Sequence, residues 1–206
     1  MQPAVMIEEV LPDVFRWEQY SPAHKVNLTS HAIIREGRIF VFDPIALVAE
    51  PMALLAARGS IAAIVLTNDN HERDAASWRD RCDIPIWAAD EASLPWPGVR
   101  RFHRAEQNWE GWKLEWLDGA AGGELAFRWN EQSLVVCGDA IVNLPDRGLE
   151  LLPEKYCRNQ SQLKQSVRNW VAVPFERLLM AHGLPLMEEA SQRVARLVSD
   201  DVDRPD

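Results

Sequence analysis

The sequence predicts an α/β (α+β) fold: a four-layer αββα sandwich in which two mixed β-sheets pack face to face and helices cover the outer faces. Three observations lead there. Each half of the 206-residue chain opens with β-type runs and continues into mixed β and α segments. The run Ile61 to Leu66 is apolar throughout, as a strand buried on both faces requires. Stretches 160–170 and 187–198 repeat apolar residues at helical spacing, so each has one face to bury.

In order, Val14 to Trp17, Val26 to Arg35 and Arg38 to Asp43 read as strands, the last two joined by Glu36-Gly37 as a hairpin. Pro51 to Arg58 reads as a short helix, with proline in the first turn and Gly59 as its stop. After strand Ile61 to Leu66 come a helix from about Asn70 to Arg81, a strand Ile84 to Ala88, a short helix near Asp90 to Leu94 and a strand Val99 to His103. Trp112 to Leu117, Leu125 to Trp129 and Leu134 to Cys137 are further strands. Gly119 to Gly123 is a hairpin-like loop and not a phosphate cradle, because a strand and no helix follows it. Helix Gln160 to Trp170 starts from Asn159 with Gln162 at capping-box spacing, Arg177 to Met180 is the last strand, and helix Met187 to Val198 closes. Residues 1–199 are expected to form one domain and 200–206 a frayed acidic tail.

A net charge of -9 disfavours nucleic acid and anionic membrane as partners; Arg100, Arg101 and Arg104 make only a short strand-end cluster. No apolar run is long enough to span a bilayer and the start has no signal-peptide pattern, so a cytoplasmic location is expected. Cys82, Cys137 and Cys157, odd in number and widely spaced, read as reduced thiols and not as a zinc knuckle. No serine-histidine nucleophile signature or nucleotide fingerprint occurs. The nine tryptophans read mainly as packing, with Trp96 and Trp109 in loops where they could line a pocket.

Chemistry concentrates where Ile64-Val65-Leu66 breaks into Thr67-Asn68-Asp69-Asn70-His71-Glu72-Arg73. That segment is one of four in order, with His31-Ala32-Ile33-Ile34 through Val41-Phe42-Asp43, Leu117-Asp118-Gly119 through Leu125, and Val136-Cys137-Gly138-Asp139; Ala181-His182-Gly183 follows them. Together, over nearly the whole chain, they resemble the metallo-β-lactamase fold superfamily. The resemblance implies a turn H-x-H-x-D-H, a later histidine, a bridging aspartate and a final histidine that hold zinc or iron for hydrolysis. Carried over, those positions fall on Asn68, Asn70, Glu72 and Arg73, then Ala120, with Asp139 and His182 matching the family's ligand types. Asp43 resembles the family's strand-end aspartate, which props the metal turn from behind; a plain turn or packing role is the equal alternative.

Amides coordinate zinc poorly, alanine offers no donor, and Arg73 adds a permanent positive charge. The expectation is therefore a vestigial pocket of Asn68, Asn70, Glu72, Arg73, Ala120, Asp139 and His182 that has lost the dinuclear site and hydrolase activity. It would hold no metal cofactor and bind a small molecule or a protein. The alternative is a hydrolase of esters, thioesters or amides with a mononuclear zinc, iron or manganese site built from Asp69, His71, Asp139 and His182. Against it, Asp69 reads as a helix N-cap with Glu72 as its capping-box partner and His71 facing solvent, while Asp139 reads as a turn residue bonding backbone amides. Arg73 is expected to pair with Asp139. His71 and His182 are the candidate catalytic residues, as general bases if no metal is used.

Overall fold

The computed structural model describes residues 2–199, so the expected tail at 200–206 lies outside the described residues. The first sheet runs, in spatial as in chain order, β1 (Glu8–Leu11), β2 (Val14–Ser21), β3 (Val26–Arg35), β4 (Arg38–Phe42), β5 (Ser60–Val65), β6 (Ile86–Ala89) and β7 (Arg100–Phe102). Pairing is antiparallel as far as β4 and parallel from there on. The parallel steps need crossovers, and α1 (Ala49–Ala56) and α2 (Ala75–Cys82) supply the first two.

The second sheet collects β8 (Asn108–Trp109), β9 (Trp112–Trp116), β10 (Leu125–Trp129) and β11 (Leu134–Cys137). A separate hairpin, β12 (Ile141–Leu144) with β13 (Gly148–Leu151), precedes α3 (Gln160–Val171), β14 (Arg177–Met180) and α4 (Ala190–Ser199). β14 joins the second sheet beside β11 in parallel, giving the order β14-β11-β10-β9-β8.

Strand alternation builds the layers. Along β4, Phe40 and Phe42 enter the core between the sheets with Ile33, Trp112 and Phe127, while Ile39 and Val41 face the core beneath α1 and α2. Val135 and Cys137 of β11 pack likewise against Leu163 and Val167 of α3 and Val194 of α4. Strands buried on both faces must be apolar there, as β4 is from Ile39 on and β11 throughout. The expected sandwich is thus the observed one.

Several expectations are corrected. Residues 90–91 form a turn and 92–94 an irregular segment instead of a helix, and β1, β8, β12 and β13 are strands beyond those expected. Trp96 packs on the core under the helices and Trp109 against Phe40, Trp87 and Phe102, so neither is set aside to line a pocket. The arginine cluster is satisfied within the chain: Arg101 donates to the Ala89 and Ala92 carbonyls, and Arg104 pairs with Glu91 and Asp118. No helix among the described residues is long and apolar enough to cross a membrane.

For the site, the decisive feature is that the parallel pairs β4/β5 and β11/β14 each end in polar turns at their carboxyl ends. Those turns carry Asp43, Thr67 to Arg73, Gly138-Asp139 and Ala181-His182. Carboxyl ends of parallel strands are where α/β folds place ligand sites, because chain turns away there and leaves a crevice.

Candidate metal centre

Asp43 is held first. Its N–H donates to the Val65 carbonyl at 3.0 Å, and its own carbonyl accepts from the Ser30 hydroxyl at 2.6 Å. The buried carboxylate then reaches forward: Oδ1 accepts the Thr67 N–H at 2.9 Å, and Oδ2 accepts the Thr67 hydroxyl at 2.6 Å and contacts His71 Nδ1 at 3.0 Å. Asp43 therefore props the turn from behind, as the resemblance implies.

His71 passes the contact on, its Nε2 lying 3.0 Å from Asp139 Oδ1. The same oxygen lies 3.2 Å from His182 Nε2, and His182 Nδ1 donates to the Asn27 carbonyl at 3.1 Å. The result is a continuous chain Asp43–His71–Asp139–His182, buried at His71 and opening towards solvent at His182, whose side chain is 15% exposed. Burial works against a charged His71, but the carboxylates of Asp139 and Asp43 outweigh it and raise its pKa to about 9. Burial would likewise raise Asp139; the imidazoles of His71 and His182 instead hold it well below the ordinary carboxylate range. Asp43 is lowered against its own burial by His71 and Arg73.

Around this chain the ligand positions of the resemblance have been refilled. Asn68, fully buried, donates its amide to Glu124 Oε2 at 2.8 Å and accepts the Asn70 N–H at 2.9 Å. Glu124 Oε1 accepts the Ala140 N–H at 3.0 Å. Burial and the neighbouring Asp139 charge raise the Glu124 pKa to about 8, against the Ala140 N–H and the Asn68 amide, which favour the charged form. Ala120 is buried in the core under α3. Glu124 also floors a cleft of about 180 Å³ walled by Trp116, Asp118, Arg104, Arg158 and Gln162.

Five expectations about the turn fail for one reason: tertiary contacts override a local pattern. Asp69 is not an N-cap, since α2 starts only at Ala75; its N–H donates to the Gly122 carbonyl and its carboxylate faces Arg158 at 3.5 Å, away from the histidines. Glu72, exposed, forms no capping box with it. His71 is 3% exposed and not a solvent-facing residue. Asp139 binds imidazoles and not turn amides. Nor does Arg73 pair with Asp139, because its guanidinium is turned onto backbone carbonyls.

Two imidazoles and a carboxylate are a donor set used for single zinc or non-haem iron ions with open positions. His71, Asp139 and His182 each offer one ligand atom, and these lie within 4.8 Å of one another, the one such cluster among the described residues. Asp43 on the far nitrogen of His71 is the outer carboxylate that such ligands need to fix the ring. A single ion fits these residues. A pair does not: the Asn68 amide is bound to Glu124, Ala120 has no donor, and Arg73 is a cation.

The chain matches the sequence model of the Metallo-beta-lactamase superfamily over residues 6–200. It belongs to that superfamily.

Among solved structures, TMB-1 is 15% identical, covers 98% of this chain and 100% of its own, and superposes with a TM-score of 0.75. The metallo-β-lactamase of Erythrobacter litoralis with β-mercaptoethanol in its active site is 16% identical over 94% of this chain and 96% of its own, with a TM-score of 0.73. FIM-1 from Pseudomonas aeruginosa, in its mono-zinc form, is 13% identical over 96% and 95%, with a TM-score of 0.69. At these identities the likeness is one of fold. No curated protein matches the sequence.

Sequence reasoning missed Glu124. Its signal was present: an acid between Gly123 and the fully apolar start of β10, Leu125-Ala126-Phe127, must be buried with the strand it opens.

Proposed function

We propose that this superfamily member is a metal-dependent hydrolase with a mononuclear centre on His71, Asp139 and His182, acting on an ester, thioester or amide. The observation that carries the reading is the convergence of those three donors from three separate turns, with Asp43 behind His71. A zinc, iron or manganese ion held there would supply Lewis acidity and the means to activate water. The chain's own groups do the rest. Asp43 and Thr67 fix the His71 ring so that Nε2 faces the cluster. The Asn27 carbonyl fixes the His182 ring. Glu124, whose two oxygens accept the Asn68 amide and the Ala140 N–H, ties the turn after β5 to the turn that carries Asp139. Ion uptake must displace the proton that His71 carries in the metal-free chain, so loading is favoured by higher pH. The unpaired thiols of Cys82, Cys137 and Cys157 support a reducing, cytoplasmic setting.

A second reading is a metal-free binding protein for a small molecule or a protein. It is supported by the Asn68–Glu124 pair at a former ligand position beside the cleft. Protein purified without chelators, and then loaded with zinc, iron(II) or manganese, separates the two on ester and thioester panels. The hydrolase reading expects one ion per chain and turnover abolished by a chelator and by His182→Ala. No ion and no turnover under any loading leaves the binding reading.

A further inference from the structure

Arg73 occupies the last histidine position of the ligand turn, yet its side chain is committed to backbone. Nη1 donates to the carbonyls of Thr29 at 2.5 Å and Asp43 at 2.9 Å, and Nη2 donates to that of Ala181 at 3.3 Å. Thr29 lies in β3, Asp43 directly follows β4, and Ala181 directly follows β14, so one guanidinium ties the first sheet to the second. The Thr29 N–H also donates to the Ala181 carbonyl at 2.8 Å, so the seam it reinforces is real.

Each tied segment delivers a group of the centre. Asp43 carries the carboxylate behind His71, Ala181 precedes His182, and Arg73 itself sits two residues beyond His71. Its direct partners are carbonyls, while its charge reaches the buried Asp43 and Asp139 from farther off. Its backbone is held at φ 38, a left-handed conformation that a non-glycine residue keeps only when its surroundings impose it. A planar fork of donors suits several carbonyls at fixed angles, which a lysine ammonium on a flexible stem does not reproduce.

We propose that Arg73 is a positioning residue for the centre: standing at a ligand position of the resemblance, its guanidinium cross-links the two sheets and so sets the spacing of His71 and His182 across Asp139. This rests on the single-ion reading. The test is Zn²⁺ affinity, by competition with a chromophoric chelator, and the visible spectrum of the Co²⁺-loaded protein. Arg73→Ala should weaken Zn²⁺ binding by about 10- to 100-fold, as loss of an outer support of a metal ligand typically does, and shift the Co²⁺ bands. Low-millimolar methylguanidinium should restore both. Arg73→Lys should show the same loss and carries the test if the alanine variant does not fold. A folded variant with wild-type affinity and spectrum overturns the proposal, as does a loss that methylguanidinium leaves untouched. If the wild-type chain takes up no Zn²⁺, the single-ion reading falls by itself. The positioning role is then read in the metal-free chain from the ¹⁵N–¹H signals of the His71 and His182 rings: displacement in Arg73→Lys supports it, and unchanged signals end it.

Discussion

Raising the pH of the metal-free protein should unfasten the centre, and the size of the effect follows from two groups. His71 keeps its proton up to about pH 9 in the fold but loses it near 6.5 when unfolded. Its folded pKa is raised, so its contribution to stability is complete below about pH 6.5 and disappears as pH climbs through 9. Glu124 has the same sign, releasing its proton near 8 in the fold against 4.5 in the ordinary carboxyl. From about pH 7 to about pH 8.5, His71 should cost about 2 kcal/mol of stability and Glu124 about 1 kcal/mol, at about 1.4 kcal/mol per pH interval of retained proton. Asp43 and Asp139, both lowered, are already charged throughout that window and add no slope. Urea unfolding followed by tryptophan fluorescence in the presence of EDTA measures the drop; the three thiols, raised in the fold, add loss of the same sign towards pH 8.5, so wild type and variant are both read in a cysteine-free background. Wild type should lose about 3 kcal/mol over the window, and Glu124→Gln about 2 kcal/mol. A wild-type stability that stays flat or rises over the window would refute the imidazolium clasped between Asp43 and Asp139.

Two further outcomes are expected. Gly183, at φ 91, has the Asn143 carbonyl oxygen 1.9 Å from where a Cβ would stand, so Gly183→Ala combines backbone strain with a clash against backbone; a loss of about 3 kcal/mol or more, read in the same urea assay, is expected next to His182. Asp69 faces Arg158 and not the histidines, so Asp69→Asn should leave the ion content per chain unchanged in elemental analysis, whereas a halved content would return Asp69 to the ligand set.

What the sequence revealed depended on how far apart the partners lie. Asn159 caps α3 as its spacing suggests, because the Gln162 N–H it accepts is three residues away. Asp69 and Glu72 show the same kind of spacing, yet the turn is pulled into the sheet edge by Gly122 and Asp43, and the left-handed Arg73 delays the helix to Ala75. Asp139 and His182 were legible because each sits in a short strand-end pair, Gly-Asp and His-Gly, that follows an apolar run. The role of His71 was not. A lone imidazole in a polar turn reads as exposed until Asp139, 68 positions on, is known to face it. Glu124 and Asn68, 56 positions apart, met only through the packing of the two sheets.

The central claim, one ion on three side chains, is tested most directly by diffraction from crystals grown with zinc and measured on both sides of its absorption edge. A single anomalous peak bonded to His71, Asp139 and His182, with none beside Asn68 or Ala120, is the predicted result. Two peaks in the cleft, or an ion bound without His71, would contradict it.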